Sequence, residues 1–357
     1  MTPTAPQLVY LAWGRLQRPR ANLVQTLHTV DALAGLGVAT RLYLPPWPRD
    51  FDAHAALAGF GVAPGLDLRP SALLHRRWRG WPFLLARGRL LRGTVTYTRV
   101  PALSVAMTRL GIPHALEVHD TAALQDKGLL EALCTAQRNG LIRLLLPISA
   151  RAADVLYAAG ADPARVHVAP SGVDLAAYAG VPELTVERLR EPRIIYLGRI
   201  SRDRGLGVFE ALAGHYAVRL VGPCEEAPTA AIECLPPIPH AHVPRQYADA
   251  EIALMPYQQD LQHAASISPI KLFEAMAAGR CVIASDLPAL REVLRDGENA
   301  LLVPPDEPAA WLAAVERLRQ DPELALRIAA AGRTTAASYG WDARARGIAS
   351  ALGLRLR

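Results

Sequence analysis

One stretch, Ser268-Pro-Ile-Lys-Leu-Phe-Glu-Ala-Met-Ala-Ala-Gly-Arg-Cys-Val-Ile-Ala-Ser-Asp286, places a helical pattern directly before a buried strand. Ser268 is a favourable N-cap, the proline after it fits the first helical position, and Gly279 fits the C-terminal cap. These signals predict a helix over 269–278. The apolar run Cys281–Ser285 predicts a strand buried on both faces, which is typical of parallel sheets. The indicated fold class is α/β.

The same alternation of helices and short apolar runs continues on both sides of this stretch. In the helix predicted over 22–36, Asn22 is the expected N-cap and Gln25 stands at the N3 position of a capping box. Each half of the chain is therefore predicted to form a doubly wound parallel sheet. Further strands are predicted at 7–13, 38–44, 94–98, 114–118, 143–148, 166–169, 194–197, 218–221, 252–256 and 300–303. Further helices are predicted at 102–109, 122–138, 149–158, 207–213, 308–319, 323–331 and 341–354.

The length of the chain indicates more than one domain. Its 357 residues correspond to about two domains. The segment 176–192, with two prolines and mixed charge, is the best candidate for a linker. We therefore expect one α/β domain over 1–180 and a second over 181–340. Two such domains form a cleft, and ligands of doubly wound sheets bind at the carboxyl ends of the strands.

Composition excludes several classes of protein. Hydrophobic residues make up 51% and charged residues 20% of the chain, which is typical of globular proteins. No apolar run is long enough to predict a membrane-spanning helix, and no basic segment precedes an apolar stretch at the N-terminus as in a signal peptide. The four cysteines form no Cys-x-x-Cys pair, so we expect a reducing cytoplasm rather than a zinc or disulfide framework.

Charge is divided unequally along the chain. Residues 1–180 carry 19 Lys+Arg and 11 Asp+Glu, a net charge of +8, whereas residues 181–357 carry 20 and 22, a net charge of −2. Nine arginines and no acidic residue lie between Asp67 and Glu117. This basic field indicates an acidic partner or surface.

The densest part of this field is 73–92, LLHRRWRGWPFLLARGRLLR, in which six arginines are interleaved with aromatic residues and leucines. Such a patch fits an anionic membrane surface, with Trp78, Trp81 and Phe83 entering the headgroup boundary. Nucleic acid is the rival partner, and a helix with a solvated arginine face is the plain alternative. Because leucines and tryptophans favour lipid, we expect membrane contact and no nucleic acid. The residues predicted on this side are Arg76, Arg77, Trp78, Arg79 and Trp81.

The N-terminus of the helix at 269–278 is the strongest candidate site. Its first amides, among them those of Ile270 and Lys271, have no intrahelical partner and form an anion site together with the helix dipole. The Lys271 side chain adds a positive charge. Glu274, one turn further on, is suited to accept two hydrogen bonds from a sugar diol. An amphipathic helix whose glutamate faces solvent has the same spacing, so both interpretations stay open.

Three further features follow predicted strands. Arg199 and Arg204 lie in a turn that begins at Gly198, where guanidinium groups suit phosphate oxygens, and a solvated basic turn is the alternative. His119 follows the strand at 114–118 and can hydrogen-bond or take a proton, although a lone histidine is more often satisfied by the backbone. Gly14 allows close backbone approach to a ligand.

The remaining short motifs are mostly absent. The sequence has no dinucleotide fingerprint, no phosphate-binding P-loop, and no GxSxG, HExxH or EF-hand pattern. The only Asp-x-Asp text is Asp50-Phe-Asp52, in a proline-rich loop that we interpret as solvated. We therefore expect no metal site and no bound cofactor.

Taken in order, the segments resemble the family 4 retaining glycosyltransferases of the GT-B fold, over essentially the whole chain and most strongly over 193–341. The ordered set is specific, whereas each piece alone is weak. The pieces are Ala21-Asn-Leu-Val-Gln25, the strand end Glu117-Val-His-Asp120, Pro170-Ser-Gly-Val-Asp174, Gly198-Arg199 with Arg204-Gly205, Ser266 with Glu274, Cys281-Val-Ile-Ala-Ser-Asp286, Glu292 and Gly297-Glu-Asn-Ala-Leu-Leu-Val303.

The resemblance implies a division of labour between the domains. Residues 1–180 would form the acceptor side, residues 181–340 would bind a nucleotide sugar, and a last helix over 341–357 would return to the first domain, beginning at Trp341.

The resemblance also implies roles for single residues. Arg199 and Arg204 would hold the donor diphosphate, Glu274 would bind the ribose hydroxyls, and His119 would meet the transferred sugar. Those four are the implied catalytic residues. The implied donor-binding residues are Gly14, Gly198, Ser266, Ile267, Ser268, Pro269, Ile270 and Lys271.

Three positions depart from the family pattern. Arg204 stands where a lysine is usual, and Ser171 stands where an asparagine is usual. Ser266 replaces the first of two glutamates spaced eight apart, of which Glu274 is the second. The missing carboxylate usually contacts sugar hydroxyls, which leaves the identity of the sugar open.

These observations lead to one expected function and two rivals. The expectation is a retaining transfer, without metal or cofactor, of a hexose-type sugar from a nucleotide diphosphate sugar to a lipid-linked or surface-glycan acceptor. The expected location is cytoplasmic, peripheral at the inner face of the plasma membrane. The first rival is a GT-B-fold sugar-nucleotide epimerase. The second is a non-catalytic basic protein that binds lipid or nucleic acid.

Overall fold

A computed structural model shows that the chain folds into two compact units. Unit 1 comprises Met1–Ser171 and Trp341–Arg357, and unit 2 comprises Gly172–Gly340. Each unit holds one six-stranded parallel sheet, as the α/β prediction required. The residues that the structure describes are 6–18, 20–261 and 264–356.

Unit 1 is built around a sheet of near-continuous apolar strands. The strands are β1 (Leu8–Leu11), β2 (Thr40–Leu44), β3 (Leu68–Pro70), β4 (Val95–Thr98), β5 (His114–Val118) and β6 (Ile142–Pro147). The helices are α1 (Ala21–Gly35), α2 (Ala53–Gly59), α3 (Trp81–Arg92), α4 (Pro101–Arg109), α5 (Thr121–Asp126), α6 (Leu130–Arg138) and α7 (Ala150–Ala158). The strand order is β3-β2-β1-β4-β5-β6, so the winding direction reverses between β1 and β4. Every residue of β1 and β5 is buried, as expected for strands covered on both faces.

Unit 2 repeats the same plan. Its strands are β7 (Ile194–Leu197), β8 (Val218–Val221), β9 (Glu233–Leu235), β10 (Ile252–Met255), β11 (Cys281–Ser285) and β12 (Leu301–Val303). Its helices are α8 (Leu175–Tyr178), α9 (Val186–Leu189), α10 (Leu206–Ala213), α11 (Val243–Ala248), α12 (Ile270–Ala277), α13 (Pro308–Gln320) and α14 (Pro322–Ala336). The strand order is β12-β11-β10-β7-β8-β9, and the winding reverses between β7 and β10. The two doubly wound sheets confirm the predicted fold class.

Short 3-10 turns connect several of these elements. They span Arg76–Trp78, Pro163–Arg165, Arg202–Arg204, His240–His242, Ala264–Ser266, Leu290–Glu292 and Ala337–Tyr339. Within the part of the chain that the structure describes, no helix combines the length and the apolar character needed to cross a bilayer.

The last helix, α15 (Trp341–Ala351), belongs to unit 1 although it follows unit 2 in the chain. It packs on α1, where the Trp341 and His28 rings stack with centroids 5.3 Å apart. The buried Arg344 donates from Nη1 to Thr29 Oγ1 at 2.7 Å and from Nε to the Pro170 carbonyl at 2.8 Å. These contacts attach the C-terminal helix to the first sheet's helical layer.

The division between the units differs from the expected boundary at 180/181. It lies at 171/172, since Val173 N–H donates to the Tyr339 carbonyl within unit 2. The predicted linker at 176–192 is wrong, because Tyr178 and Leu189 are buried and the segment forms α8 and α9.

The two predicted N-caps, Asn22 and Ser268, are wrong, whereas Gly279 follows the C-cap of α12 in the left-handed conformation, with φ of 63°. Helix α1 begins one residue before Asn22, and Gln25 is buried with its side chain on a distant partner, Glu117. Helix α12 begins at Ile270, with Pro269 in the N-cap position instead of Ser268. In both places a tertiary contact or the proline's own geometry overrides the local capping signal.

Several predicted elements change in extent. The helix predicted over 122–138 divides into α5 and α6 at Gly128, whose φ of 61° lies in the left-handed region. The strand predicted over 166–169 is reduced to a single bridge between Leu145 and Val166. The edge strands β3 and β9 were not predicted.

Candidate functional site

The reversal point of the unit 2 sheet brings the main predicted residues together. Gly198 follows β7 and Tyr257 lies two residues beyond β10, on either side of the place where the winding direction changes. In open α/β sheets ligands bind outside the carboxyl ends of the strands at such a reversal. Arg204 and Lys271 lie in the segments that pack over this edge, as the ring contacts below show.

Two glycines let these segments approach each other closely. Gly198 has φ of 149°, and a Cβ there would lie 2.3 Å from Lys271 Nζ. Gly205 has φ of 82°, and a Cβ there would lie 2.4 Å from the Pro256 carbonyl oxygen. Both positions therefore require glycine for conformation as well as for space.

Lys271 and Arg204 are half-buried residues, and one nitrogen of each, Lys271 Nζ and Arg204 Nε, is buried. The Lys271 ammonium lies 3.7 Å from the ring centroid of Tyr196 and 5.4 Å from that of Tyr257. The Arg204 guanidinium lies 5.9 Å from the Tyr257 centroid. Among the described residues, neither Lys271 Nζ nor Arg204 Nε has a hydrogen-bond partner. Burial, with Arg204 nearby, holds the pKa of Lys271 well below its usual value.

Arg199 is placed differently. Its side chain is 51% exposed and its Nε lies 3.4 Å from Glu225 Oε1. Tyr196 donates a hydrogen bond to the Arg199 carbonyl at 3.0 Å, which fixes the backbone of the turn. Arg199 can therefore reorient toward a ligand, whereas the Nε of the half-buried Arg204 is already enclosed.

The segment before α12 forms one wall of the site. Ser266 and Ile267 are buried, Ser268 is half-buried, and Pro269 occupies the N-cap position of the helix. Ile270 and Lys271 supply the first two amides of α12, the part of a helix that attracts anions.

Glu274 is buried, so the alternative of a solvent-facing glutamate is wrong. Its Oε1 lies 2.6 Å from His240 Nε2, and its side chain is only 6% exposed. Burial, with the Glu274 charge nearby, raises the pKa of the Tyr178 and Tyr247 phenols well above the usual value. A carboxylate among phenols and an imidazole suits hydroxyl recognition.

The predicted residues of unit 1 lie at the carboxyl edge of the first sheet. Gly14 follows β1, and a Cβ there would lie 2.9 Å from Leu23 Cδ1. His119 follows β5, and its Nε2 lies 2.5 Å from Glu117 Oε1. Burial, with Arg99 nearby, lowers the pKa of His119 to about 4 although Glu117 opposes that shift.

Glu117 is the centre of a buried polar network. It forms an ion pair with Arg344 at 3.0 Å, accepts from Gln25 Nε2 at 2.8 Å and accepts from the Tyr97 phenol. The pKa of Glu117 is held well below its usual value because Arg344 and His119 outweigh the effect of burial. Ser171 donates to Gln25 Oε1 at 2.9 Å and extends the network.

The basic stretch at 73–92 separates into exposed and buried parts. Leu73, Trp78 and Leu85 are 42%, 52% and 66% exposed, and the arginines of the stretch are exposed as well. Phe83 was expected to enter a membrane, which is wrong because its ring is buried against Tyr43 with centroids 4.8 Å apart. Trp81 is half-buried against the same core. The exposed basic residues that were predicted on this side are Arg76, Arg77 and Arg79.

The residues that could ligate metal ions do not cluster. Within the described ranges, no group of three or more His, Cys, Asp and Glu side chains could hold an ion. Asp52 of the Asp-x-Asp text instead caps α2, accepting from the amides of His54 and Ala55.

Several residues around Lys271 and Glu274 in unit 2, and around Glu117 in unit 1, were not identified from the sequence. His240 lies in a 3-10 turn within irregular chain, and nothing local connects it to Glu274. Tyr196 and Tyr257 look like ordinary core residues, although each faces a cationic side chain. No sequence pattern around Arg344 indicates that it pairs with Glu117.

Comparison with known proteins agrees with this geometry. Residues 191–321 match the family described as Glycosyl transferases group 1. The D-inositol 3-phosphate glycosyltransferase of Thermomonospora curvata is 28% identical over 287 residues, covering 67% of this chain and 65% of its own. The phosphatidyl-myo-inositol mannosyltransferase of Mycobacterium leprae is 32% identical over 185 residues, covering 48% and 49%. The chain thus spans about half to two thirds of the length of the curated relatives it matches.

Solved structures share the fold across the whole chain. Sucrose-phosphate synthase from Thermosynechococcus elongatus superposes with a TM-score of 0.74 at 16% identity, covering 96% of this chain and 97% of its own. Anabaena HepE, solved in complex with UDP and glucose, gives 0.72 at 15% identity, covering 98% and 99%. The matched segment is similar to the group 1 glycosyl transferases, and the whole chain shares the fold of these solved structures.

Proposed function

We propose that this chain transfers a hexose-type sugar from a nucleotide diphosphate sugar to a lipid-linked or surface-glycan acceptor. One observation carries the donor half of the proposal. At the reversal point of the unit 2 sheet, two nitrogens of cationic side chains, Lys271 Nζ and Arg204 Nε, are buried and have no hydrogen-bond partner among the described residues. A diphosphate supplies the negative charge that this arrangement lacks.

The same residues suit the chemistry of the transfer. Charge develops on the leaving diphosphate as the bond from sugar to oxygen breaks, and preorganised donors stabilise that charge. Arg199, Arg204, Lys271 and the first amides of α12 are the proposed donors, and Glu274 is the proposed ribose ligand. The contact of His119 with the transferred sugar, taken from the family resemblance, stays a proposal.

The proposal includes retention of configuration and independence from metal ions. Two arginines, a lysine and a helix N-terminus offer positive charge to the diphosphate without an ion. We expect turnover to persist in EDTA. Activity that EDTA abolishes and magnesium or manganese restores would overturn this part of the proposal.

The donor can be identified by a thermal-shift panel of UDP-, GDP- and dTDP-sugars, with the free sugars as controls. A ligand at about 100 times its Kd stabilises the native state by ~2.7 kcal/mol, which raises the melting temperature measurably. Stabilisation by one nucleotide sugar and not by the free sugar supports the proposal. No shift with any of them contradicts it.

The acceptor half of the proposal rests on unit 1. Two relatives are named for inositol phosphate and phosphatidyl-myo-inositol acceptors. Leu73, Trp78 and Leu85 are exposed apolar side chains within the arginine-rich stretch. Each arginine near an anionic bilayer contributes about 1 kcal/mol, and the apolar side chains add burial in the headgroup region. We therefore propose a cytoplasmic protein that binds the inner face of the plasma membrane peripherally.

Cosedimentation with phosphatidylglycerol liposomes tests the membrane contact. We expect binding that weakens with salt and with the joint substitution of Arg76, Arg77 and Arg79 by Glu. The matched control changes three exposed arginines outside the stretch, Arg151, Arg190 and Arg327, to Glu. Wild-type protein that stays in the supernatant at low salt contradicts the proposal, as does equal loss in both variants.

A further inference from the structure

The surroundings of the Lys271 ammonium are unusual for a lysine. Its Nζ is buried, lies against the face of Tyr196 and has no hydrogen-bond partner among the described residues. The next aromatic face, that of Tyr257, is 5.4 Å away. Aromatic faces attract a cation, but they do not replace the hydrogen bonds that an ammonium makes in water.

The charged and titratable groups that face Lys271 come from four segments. Arg204, in the turn after β7, is a like charge. Glu274, one turn along α12, attracts the ammonium but is already engaged by His240. Tyr247 of α11 donates to the Lys271 carbonyl and does not serve its amine. The remaining neighbours, Tyr196 and Tyr257, are phenols whose burial raises their pKa, so they stay neutral.

This balance leaves the surroundings of Lys271 short of negative charge. The desolvation of the ammonium and the repulsion from Arg204 both favour the neutral amine, and the attraction of Glu274 does not offset them. A diphosphate entering the site would reverse the balance, because it brings negative charge into a region of low dielectric.

Resting on the proposed function, we propose that Lys271 takes up a proton from solvent when the donor diphosphate binds, so that donor binding is coupled to protonation of this amine. The lone pair of the neutral Nζ accepts the proton, and the buffer supplies it. The resulting ammonium gives the diphosphate a third cation beside Arg199 and Arg204. Lys271 would then be a donor-binding residue whose amine is neutral in the free protein and positively charged when the diphosphate is bound.

Titration calorimetry measures the proton uptake directly. UDP and GDP are titrated at pH 8 in buffers of different ionisation enthalpy, since a terminal phosphate loses its second proton near pH ~6 and does not contribute there. The slope of the observed enthalpy against the buffer's ionisation enthalpy gives the number of protons taken up. We expect a value between zero and one per bound nucleotide for the wild type, changing with pH.

The chain offers a matched control, because Lys127 is its only other lysine and is exposed. Lys127→Met should keep the uptake. Lys271→Met should lose it and bind nucleotide about 10-fold or more weakly. Lys271→Arg should lose it while keeping a charge at the site, because arginine does not titrate in this range.

A second measurement does not depend on nucleotide variants. With only two lysines, isotope-labelled lysine gives two side-chain resonances, and the Lys127→Met variant assigns them. We expect the Lys271 resonance to titrate well below the ordinary lysine pKa of 10.5 in the free protein, and its pKa to rise when UDP or GDP is bound.

The outcomes separate the inference from the function on which it rests. Nucleotide binding without proton uptake, or a Lys271 that titrates at the ordinary lysine pKa in the free protein, overturns the inference and leaves the proposed function intact. If neither nucleotide binds, both are wrong.

Discussion

Two buried glutamates, one in each unit, have a histidine at nearly the same distance and otherwise different surroundings. Glu117 lies 2.5 Å from His119, and Glu274 lies 2.6 Å from His240. Glu117 also has a cation, Arg344, and two neutral donors. Glu274 has no arginine or lysine partner among the described ion pairs.

The two carboxylates differ in how their charge is offset by neighbouring cations. Around Glu117 the charge is offset by Arg344 within unit 1, and although Arg344 Nη2 makes this ion pair without a hydrogen bond, the network stabilises the fold. Near Glu274, Lys271 Nζ has neither an ion pair nor a hydrogen bond among the described residues. Buried polar groups left without partners in a native structure point to function.

The largest effect is expected from Glu117→Gln. It removes one partner of a buried ion pair and leaves Arg344 uncompensated, which costs about 3–5 kcal/mol of stability. Chemical and thermal denaturation measure this, with the exposed Glu131→Gln as control. Unchanged stability would mean that the two glutamates do not differ in the way described.

Arg204→Ala is next. Removing a preorganised donor from a developing charge costs about 2.7–4 kcal/mol in the transition state, or ~100- to 1,000-fold in kcat. Arg199→Ala should cost about as much only if its half-exposed side chain turns toward the donor. Arg202→Ala, in the same turn and 87% exposed, is the control and should leave kcat unchanged. A rise in donor KM with normal kcat would mean that Arg204 contributes to donor binding and not specifically to the transition state.

Glu274→Gln should give the reverse of Glu117→Gln. Stability should change little, while nucleotide affinity falls about 10- to 100-fold, as expected for charged hydrogen bonds of ~1.5–3 kcal/mol. Calorimetry measures the affinity, and the exposed Glu323→Gln is the control. If affinity is retained, Glu274 is not the ribose ligand.

Lys271→Met should show a smaller effect that depends on pH. The pKa of Lys271 lies well below its ordinary 10.5 in the folded state, so between these values the native protein binds fewer protons than the unfolded chain. Wild-type stability should therefore rise with pH relative to the variant, by at most ~1.4 kcal/mol per pH unit. Denaturation curves from pH 7 to 9 decide this, and parallel pH profiles would contradict it.

The central strands could be predicted closely from sequence. β5, β7, β8 and β11 match the predicted ranges because buried parallel strands are continuous apolar runs. The edge strand β9 was missed because it is only three residues long and two of them are exposed.

The residues of the candidate site also divide into those that could be predicted from sequence and those that could not. Residues that directly follow a strand, such as Gly198 and His119, could be placed at a sheet edge from topology alone. The partners His240 and Arg344 could not, because each reaches its glutamate through tertiary packing that no local pattern encodes. The Gln25 capping box failed for this reason too, since its side chain bonds to Glu117.

The place of α15 has a consequence for synthesis on the ribosome. Arg344, the counter-ion of Glu117, is bonded to Thr29 across 315 residues of chain. At about 5–20 residues per second, roughly 15 to 60 seconds separate the two ends of that contact. From the translation of Glu117 until that of Arg344, the first sheet holds a carboxylate whose cation has not been made. Unit 1 therefore cannot complete its fold before all of unit 2 has been translated. Proteolysis of nascent chains of increasing length should show protection of the first sheet only after α15 has left the ribosome.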